Sequence, residues 1–330
     1  MKLTPPLELL SPPDSAAWDA LVDAAEGASV FHTSAWAKLW TSEWPGARWQ
    51  AIVIPGAGGP AGITTYDAGI GAIVRDGPLG RRILAMPYAT YGGPIVRRGQ
   101  PNADNARRLL LEGFAKLVSS GFVMIAELAW YEGLRSDLPD GLATGESFTH
   151  VRPLGPDYPS LQRALPHSIR SRIQQAEEQG VTVRRVSDAA GVRDYHALAV
   201  DRVSRLGGQP KPLSVYQRIF EGLAPAGLAR YDLAEHGGAV IGGSLHFLHR
   251  GVGTNWLTVS DESQSKLRPN HLLMARVMRD LCESGYREYN LGGSPPDATG
   301  LIQFKESWGG TRRPVLEVRY RSLVHRLLRR

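Results

Sequence analysis

Lys305 is the side chain best placed to do chemistry. It stands in LIQFKESWGG (301–310), directly after the glycine- and proline-dense stretch NLGGSPPDATG (290–300). Phe304 and Trp308 are four apart, so both can anchor one face of a short helix, and Lys305 would point off that face. A cation held there could neutralise a phosphate or an oxyanion developing on a carbonyl, helped by a backbone N–H of Gly292 or Gly293. Asp297 or Glu306 could take the proton from an attacking amine. The plainer reading of Lys305 is a solvated surface lysine.

Three further stretches could bind a substrate. Lys266 and Arg268 precede the helix beginning at Asn270 (RPNHLLMARVMRDL, 268–281), whose first turn would offer free N–H groups to an anion. Asn270 would equally serve as a cap. In LPHSIRSRIQQAEEQGVTV (165–183), Arg170 and Arg172 lie early in a helix, against its dipole, which is better tolerated beside an anion than alone. A solvated helix face explains them as well. In PYATYGGPIV (87–96), Tyr88 and Tyr91 flank a glycine turn and form either a binding wall or a packed loop.

Other chemistries lack their residues. There is no GxGxxG after a first strand, no GxxxxGK[ST], no HExxH and no GxSxG. The single cysteine, Cys282, rules out an intramolecular disulfide and a multi-thiolate zinc site, and its place in an apolar helix reads as core. The histidines are scattered, so no metal is expected. No apolar run reaches membrane-spanning length and the N-terminus is not a signal peptide, so the expected location is the cytoplasm. The net charge is +6, and residues 311–330 carry seven arginines against Glu317, so the body of the chain is neutral.

These residues need a mixed α/β frame. Helices are expected over 14–25, 34–43, 102–119, 159–179 (broken at Pro166), 188–203, 213–223 and 270–283. Strands are expected over 49–54, 63–68, 71–74, 82–85, 122–127, 149–153, 181–185, 229–235, 239–248, 253–259 and 286–291. NARRLLLEGFAKLVSSGFVMIAEL (105–128) and NHLLMARVMRDLCESGYREYNLGG (270–293) both run an amphipathic helix through Ser-Gly-aromatic into a strand. This internal repeat fits two α/β domains of similar build. The last residues, RSLVHRLLRR (321–330), read as a short basic amphipathic helix.

FHTSAWAKLW (31–40), the R-x-x-I-x-x-A helix running into Gly180-Val181, the P-x-x-L-L helix and the late F-K-x-x-W-G together resemble the FemAB-like branch of the GNAT-fold acyltransferases. That group includes the peptidoglycan bridge aminoacyltransferases and BioF2-like acetyltransferase domains. The resemblance implies tandem GNAT-like domains packed side by side: 1–148, 149–318 and a basic tail, 319–330, on the first domain. It implies an N-acyltransferase or aminoacyltransferase that acts on a primary amine of a cell-envelope or polysaccharide precursor. No cofactor would be tightly bound. The co-substrate would be aminoacyl-tRNA or acyl-CoA, and the amine-bearing acceptor would be lipid- or nucleotide-linked. An acyl-CoA enzyme acting on a small amine or amino sugar, or a non-catalytic protein of degenerate GNAT fold, are the other two readings. Carried onto this chain, the family's late lysine is Lys305 and its helix arginine Arg170. Its acceptor-phosphate lysine is Lys38 and its cleft aromatic Tyr216. The usual pyrophosphate loop is absent, Ser265–Asn270 standing in its place without glycine, and so is the long helical hairpin of some relatives. The tail would cover the first domain, touch the anionic inner face of the membrane or contact tRNA.

Overall fold

The computed structural model describes residues 3, 5–58, 62–88, 91–131, 133, 138, 144–322 and 325. The chain forms two compact units, Met1–Ser147 with Pro314–Arg330, and Phe148–Arg313.

In the first unit the sheet order is β1 (Glu8–Leu10), β2 (Ala47–Pro55), β3 (Tyr66–Gly77), β4 (Gly80–Ala85), β6 (Val123–Tyr131) and β13 (Thr311–Arg321), with β5 (Ile95–Val96) pairing β3 off this path. Period-two alternation divides β3 between two faces. Ile70, Ala72 and Val74 pack with Leu110, Leu111 and Phe114 of α3 (Ala103–Ser119). Gly69 and Gly71 lie on the other face, under Trp18 of α1 (Ser15–Ala24). The expected strands 63–68 and 71–74 are therefore one strand. These glycines do not make a turn there: a Cβ at Gly69 would stand 2.7 Å from the Trp18 ring, so they clear space for an indole. The helix starts are capped as their residue types demand. Asp14 accepts from Ala17 N–H at 2.7 Å, and Thr33, before α2 (Ser34–Glu43), accepts from Trp36 N–H at 3.3 Å.

In the second unit the order is β7 (Thr144–Pro153), β12 (Glu288–Gly293), β11 (Val252–Ser260), β10 (Ala239–His249), β9 (Ala229–His236) and β8 (Thr182–Arg185). The expected helix over 159–179 is two, α4 (Tyr158–Ala164) and α5 (His167–Glu178), because Pro166 cannot continue the first. These pack with α8 (Pro269–Glu283) over one apolar core that includes Ile169, Ile173, Leu273 and Met278. The other face carries α6 (Ala189–Arg205) and α7 (Leu213–Leu223), whose Tyr195 and Tyr216 pack edge-on at 5.6 Å. Cys282 is buried, its Sγ donating to Leu154 O at 3.6 Å, as expected of a core thiol.

The repeated sequence block has a structural counterpart in each unit. β4 connects to β6 through β5 and α3, and β11 to β12 through α8, and in both cases the two strands are parallel. A crossover helix is what a parallel pair requires. Gly121 and Gly285, at φ +83° and +74°, turn the chain out of each helix. The next strand in each case pairs in the other unit. β7 follows β6 but pairs with β12, and β13 follows α9 (Thr299–Ser307) but pairs with β6. The expected helical tail from residue 319 is thus corrected at its start. Arg319–Arg321 belong to β13, whose Val315, Leu316 and Val318 are buried as a strand. The rest of that reading, on residues 323, 324 and 326–330, lies outside the described residues.

One buried ion pair ties β9 to α8. Arg230 donates to both carboxylate oxygens of Asp232 at 2.5 and 2.7 Å and reaches Asp280 at 2.7 Å, and Arg230 and Asp232 are both buried. Removing one partner would strand a charge in the core. Asp232→Ala should lower unfolding stability by about 3 kcal/mol or more, read from the urea midpoint. The double variant Arg230→Met/Asp232→Leu should recover most of that loss.

Candidate active site

The two central strands of the second unit part company where the chemistry-bearing residues gather. β11 and β12 pair only from Val252↔Glu288 to Thr254↔Asn290. Just beyond, β11 slips against β10: Leu245 faces Leu257 but His246 faces Asn255, so Trp256 is an extra residue in the strand. Such a bulge bends a strand and ends its pairing. β12 then turns at Gly292, φ +82°, where a Cβ would stand 2.9 Å from the Asn255 carbonyl oxygen, so only glycine fits. Asn290 pins this turn, its Oδ1 accepting from Thr149 Oγ1 at 2.6 Å and from Gly292 N–H at 2.9 Å.

Lys305 closes the mouth of the split. α9 buries Ile302 and Lys305, and the helix ends on the fully buried Trp308 and on Gly309, φ +77°. Lys305 Nζ donates to the carbonyl oxygens of Gly292 at 2.8 Å and Gly293 at 2.6 Å. The side chain therefore points inward rather than off the anchored face as the sequence suggested. Two carbonyls compensate the burial of the ammonium, which a bare apolar wall would not. Of its three N–H donors one is left uncommitted among the described residues. Burial pushes the Lys305 pKa down to about 8.

One of the two expected backbone donors, the Gly292 N–H, is already committed. It donates to Asn290 Oδ1, while the carbonyls of both glycines accept from Lys305. Glu306 is held by Arg312 at 2.8 Å, and its Oε1 lies 3.8 Å from Nε2 of His150. His150, on β7, is wholly buried with neither ring nitrogen hydrogen-bonded. Burial, and then the neighbouring Lys305 charge, hold its pKa below the usual histidine value. Asp297 is exposed in the loop before α9, where its carbonyl oxygen accepts from Thr299 N–H at 2.9 Å.

The start of α8 differs from expectation. Asn270 is not the cap but the second helical residue, its Nδ2 donating to Ser260 Oγ at 3.1 Å. The cap position is Arg268, in a left-handed conformation (φ 57°) unusual for a residue with a side chain, with its Nε donating to Gln175 of α5 at 3.2 Å. Pro269 has no N–H, and those of His271 and Leu272 go to Arg268 O at 3.0 and 3.4 Å. This helix start offers an anion few backbone donors. What it offers is side chains: Arg268, Lys266 in the exposed turn before it, and Arg172. His271 is buried edge-on to Phe304 (5.4 Å) and near Trp308 (6.1 Å). Burial, reinforced by the charges of Arg172 and Arg268, pushes its pKa down to about 4. Arg170 and Arg172 are both exposed on α5, and the Arg172 charge is the one that bears on His271.

The structure brings together Lys305, Gly292, Gly293 and Glu306 at the split, and Phe304, Trp308, Arg268 and His271 at the start of α8. Tyr216 sits on the other face of the same sheet, buried between Tyr195, His196 (5.3 Å) and Trp256 (6.0 Å), where Lys211 Nζ lies 4.8 Å above the Trp256 ring. Lys38, Tyr88 and Tyr91 belong to the first unit. Lys38 is exposed on α2. Tyr88, partly exposed at φ 66°, packs on Trp40 (4.7 Å) and Trp44 (6.0 Å), and Tyr91 on Phe31 (6.1 Å) and Tyr131 (5.6 Å). Sequence reasoning does not single out His150, Asn290 or His271 as site residues. Only the Asn-Leu-Gly-Gly end of β12 carries a local signal for any of them. Among the described residues no group of His, Cys, Asp and Glu could hold a metal ion, and no helix is long and apolar enough to cross a membrane.

Comparison with known proteins agrees with this frame. Residues 163–306 match the family described as Acetyltransferase (GNAT) domain. No curated protein matches the sequence. Among solved structures, FemX is similar at 16% identity with TM-score 0.69, covering 98% of this chain and 100% of its own. L-PGS from Bacillus licheniformis is similar at 14% identity with TM-score 0.57, covering 98% and 99%. A tandem GNAT protein from the clavulanic acid biosynthesis pathway is similar at 14% identity with TM-score 0.50, covering 94% and 98%. The chain has a tandem GNAT-like α/β fold similar to that of FemX, and residues 163–306 of it match the GNAT acetyltransferase domain family.

Proposed function

We propose that the second unit transfers an acyl or aminoacyl group from an activated ester or thioester to a primary amine, with Lys305 as the oxyanion-stabilising cation. The observation that carries this reading is a buried ammonium with one uncommitted N–H, fixed by two carbonyls at the mouth of a split between parallel strands. Beyond Thr254 the edge of β11 no longer pairs with β12, so its peptide groups can align an extended donor. The amine nitrogen attacks the donor carbonyl carbon and the C–N bond forms. The carbonyl oxygen takes up negative charge, which Lys305 stabilises. The C–S or C–O bond then breaks, the amine proton passes to solvent or to a carboxylate such as Glu306 or Asp297, and the leaving group is protonated. Holding both substrates in register supplies much of the remaining acceleration.

The acceptor class follows from the FemAB-like resemblance: an amine on an envelope or sugar precursor. An anionic donor would meet Arg268, Lys266, Arg172 and Arg170 rather than a row of backbone N–H groups. Isothermal titration with acetyl-CoA, longer acyl-CoAs and charged tRNA, offered separately, identifies the donor. Saturable binding of a CoA would make this an acyl-CoA enzyme, and binding of charged tRNA alone an aminoacyl transferase. Binding of none of them would count against the reading.

Lys305→Met should lower transfer at least about 100-fold while leaving the thermal midpoint at pH 7 equal or higher, since a buried charge is replaced by an apolar chain. Equal loss of activity and stability would overturn the role. The rate should fall above about pH 8 as Lys305 loses its proton, and Lys305→Arg should move that limb upward. Stability carries the opposite signature. The folded pKa of about 8 lies below the ordinary 10.5, so between these values the unfolded chain binds more protons and stability rises with pH. Lys305→Met should flatten that rise.

A further inference from the structure

We propose that one end of the first unit's sheet, formed by the β3–β4 hairpin and the turn from α3 into β6, is a docking surface for an anionic lipid leaflet. Leu79, at the hairpin tip, is 55% exposed, and Phe122, entering β6, is 60% exposed. They are neighbours in space. A Cβ on Gly80 would stand 2.6 Å from Phe122 Cδ1, and Arg81 N–H donates to the Phe122 carbonyl oxygen at 2.8 Å. Two large apolar side chains thus protrude together from adjacent turns.

Arginines surround this pair. Arg75 and Arg82 face each other directly across β3 and β4, and both are exposed. Neither has an acidic partner among the described residues, while Arg48 and Arg81 share the single carboxylate of Asp76 at 2.6 and 2.8 Å. Like charges directly opposite in a sheet repel, and exposed Leu and Phe side chains are solvated at a cost. One environment relieves both: lipid headgroup phosphates for the guanidinium groups and the acyl boundary for the two apolar side chains. A nucleic acid would answer the arginines but not Leu79, which has no π-face to stack on a base. The chain beyond β13 also leaves from this end. Ser322 N–H donates to Met124 O at 3.0 Å, Met124 Cγ lies 2.7 Å from the Gly80 Cβ position, and the sequence that follows contains Arg326, Arg329 and Arg330.

The test is cosedimentation of the full chain with vesicles of phosphatidylcholine containing one-third phosphatidylglycerol, against pure phosphatidylcholine, over a salt series. Binding is expected only with the anionic vesicles and should fall as salt rises. Arg75→Glu/Arg82→Glu should weaken partitioning by at least about 25-fold, taking about fivefold for each basic charge near such a surface. Leu79→Ser/Phe122→Ser should weaken it about tenfold or more. Leu79→Ser alone, at an exposed turn, should weaken it several-fold with an unchanged thermal midpoint, which separates lost docking from lost folding. Absence of vesicle binding by the unaltered chain would overturn the proposal. So would binding retained by all three variants, which would assign it to the basic residues after Ser322. Binding to tRNA that Arg75→Glu/Arg82→Glu abolishes and Leu79→Ser leaves intact, without vesicle binding, would make this a nucleic-acid surface instead.

Discussion

A lysine ammonium inside a protein needs acceptors, and the local structure of the second unit is arranged to supply them. The carbonyls of Gly292 and Gly293 can reach Lys305 Nζ only because β12 stops pairing with β11 and turns at a left-handed glycine. That turn holds because Asn290 bridges Thr149 of β7 and the Gly292 N–H. α9 holds its place because Trp308 is wholly buried behind it. Each of these depends on the next, and all converge on one charged nitrogen that the interior would otherwise reject.

The same economy of parts explains why the split lies where it does. A parallel pair made by a crossover helix has no hairpin to hold its far end together, so its two strands are free to diverge once the ladder stops. The bulge at Trp256 adds divergence on one side and the glycine turn adds it on the other. In α/β sheets ligands favour the carboxyl ends of parallel strands for this reason. Here the residues that could meet a ligand come from α8, β12 and α9, which follow one another along the chain, and from β7, more than a hundred residues earlier.

Much of the frame is legible in the amino-acid sequence. Capping residues, Pro166, the glycines after α3 and α8, and period-two alternation place most helices and strands, because those signals are local. The departures share one cause. Gly69 and Gly71 read as turn residues, yet they make room for Trp18, a residue some fifty positions earlier in the chain. Residues 319–330 read as a basic tail, yet β6 recruits Arg319–Arg321 as the end of a strand. Lys305 reads as a cation beside an anchored face, yet two carbonyls from β12 turn it inward. His271 has no spacing to mark it as a neighbour of Arg172, because their meeting is made by α5 docking beside α8. Tertiary partners decide each of these cases, and a sequence window does not contain them.

The crossing of β7 and β13 between units has a consequence for how the chain reaches this state. The open edge of β6 can be filled only by residues 315–321, and Arg321 meets its partner Glu127 across a separation of 194 residues. During synthesis the first unit therefore emerges with its core still lacking Val318 and with one sheet edge exposed. That edge stays available to wrong partners for as long as the ribosome takes to make the whole second unit. The two halves cannot mature as independent beads on a string: the first to be translated is the last to be finished.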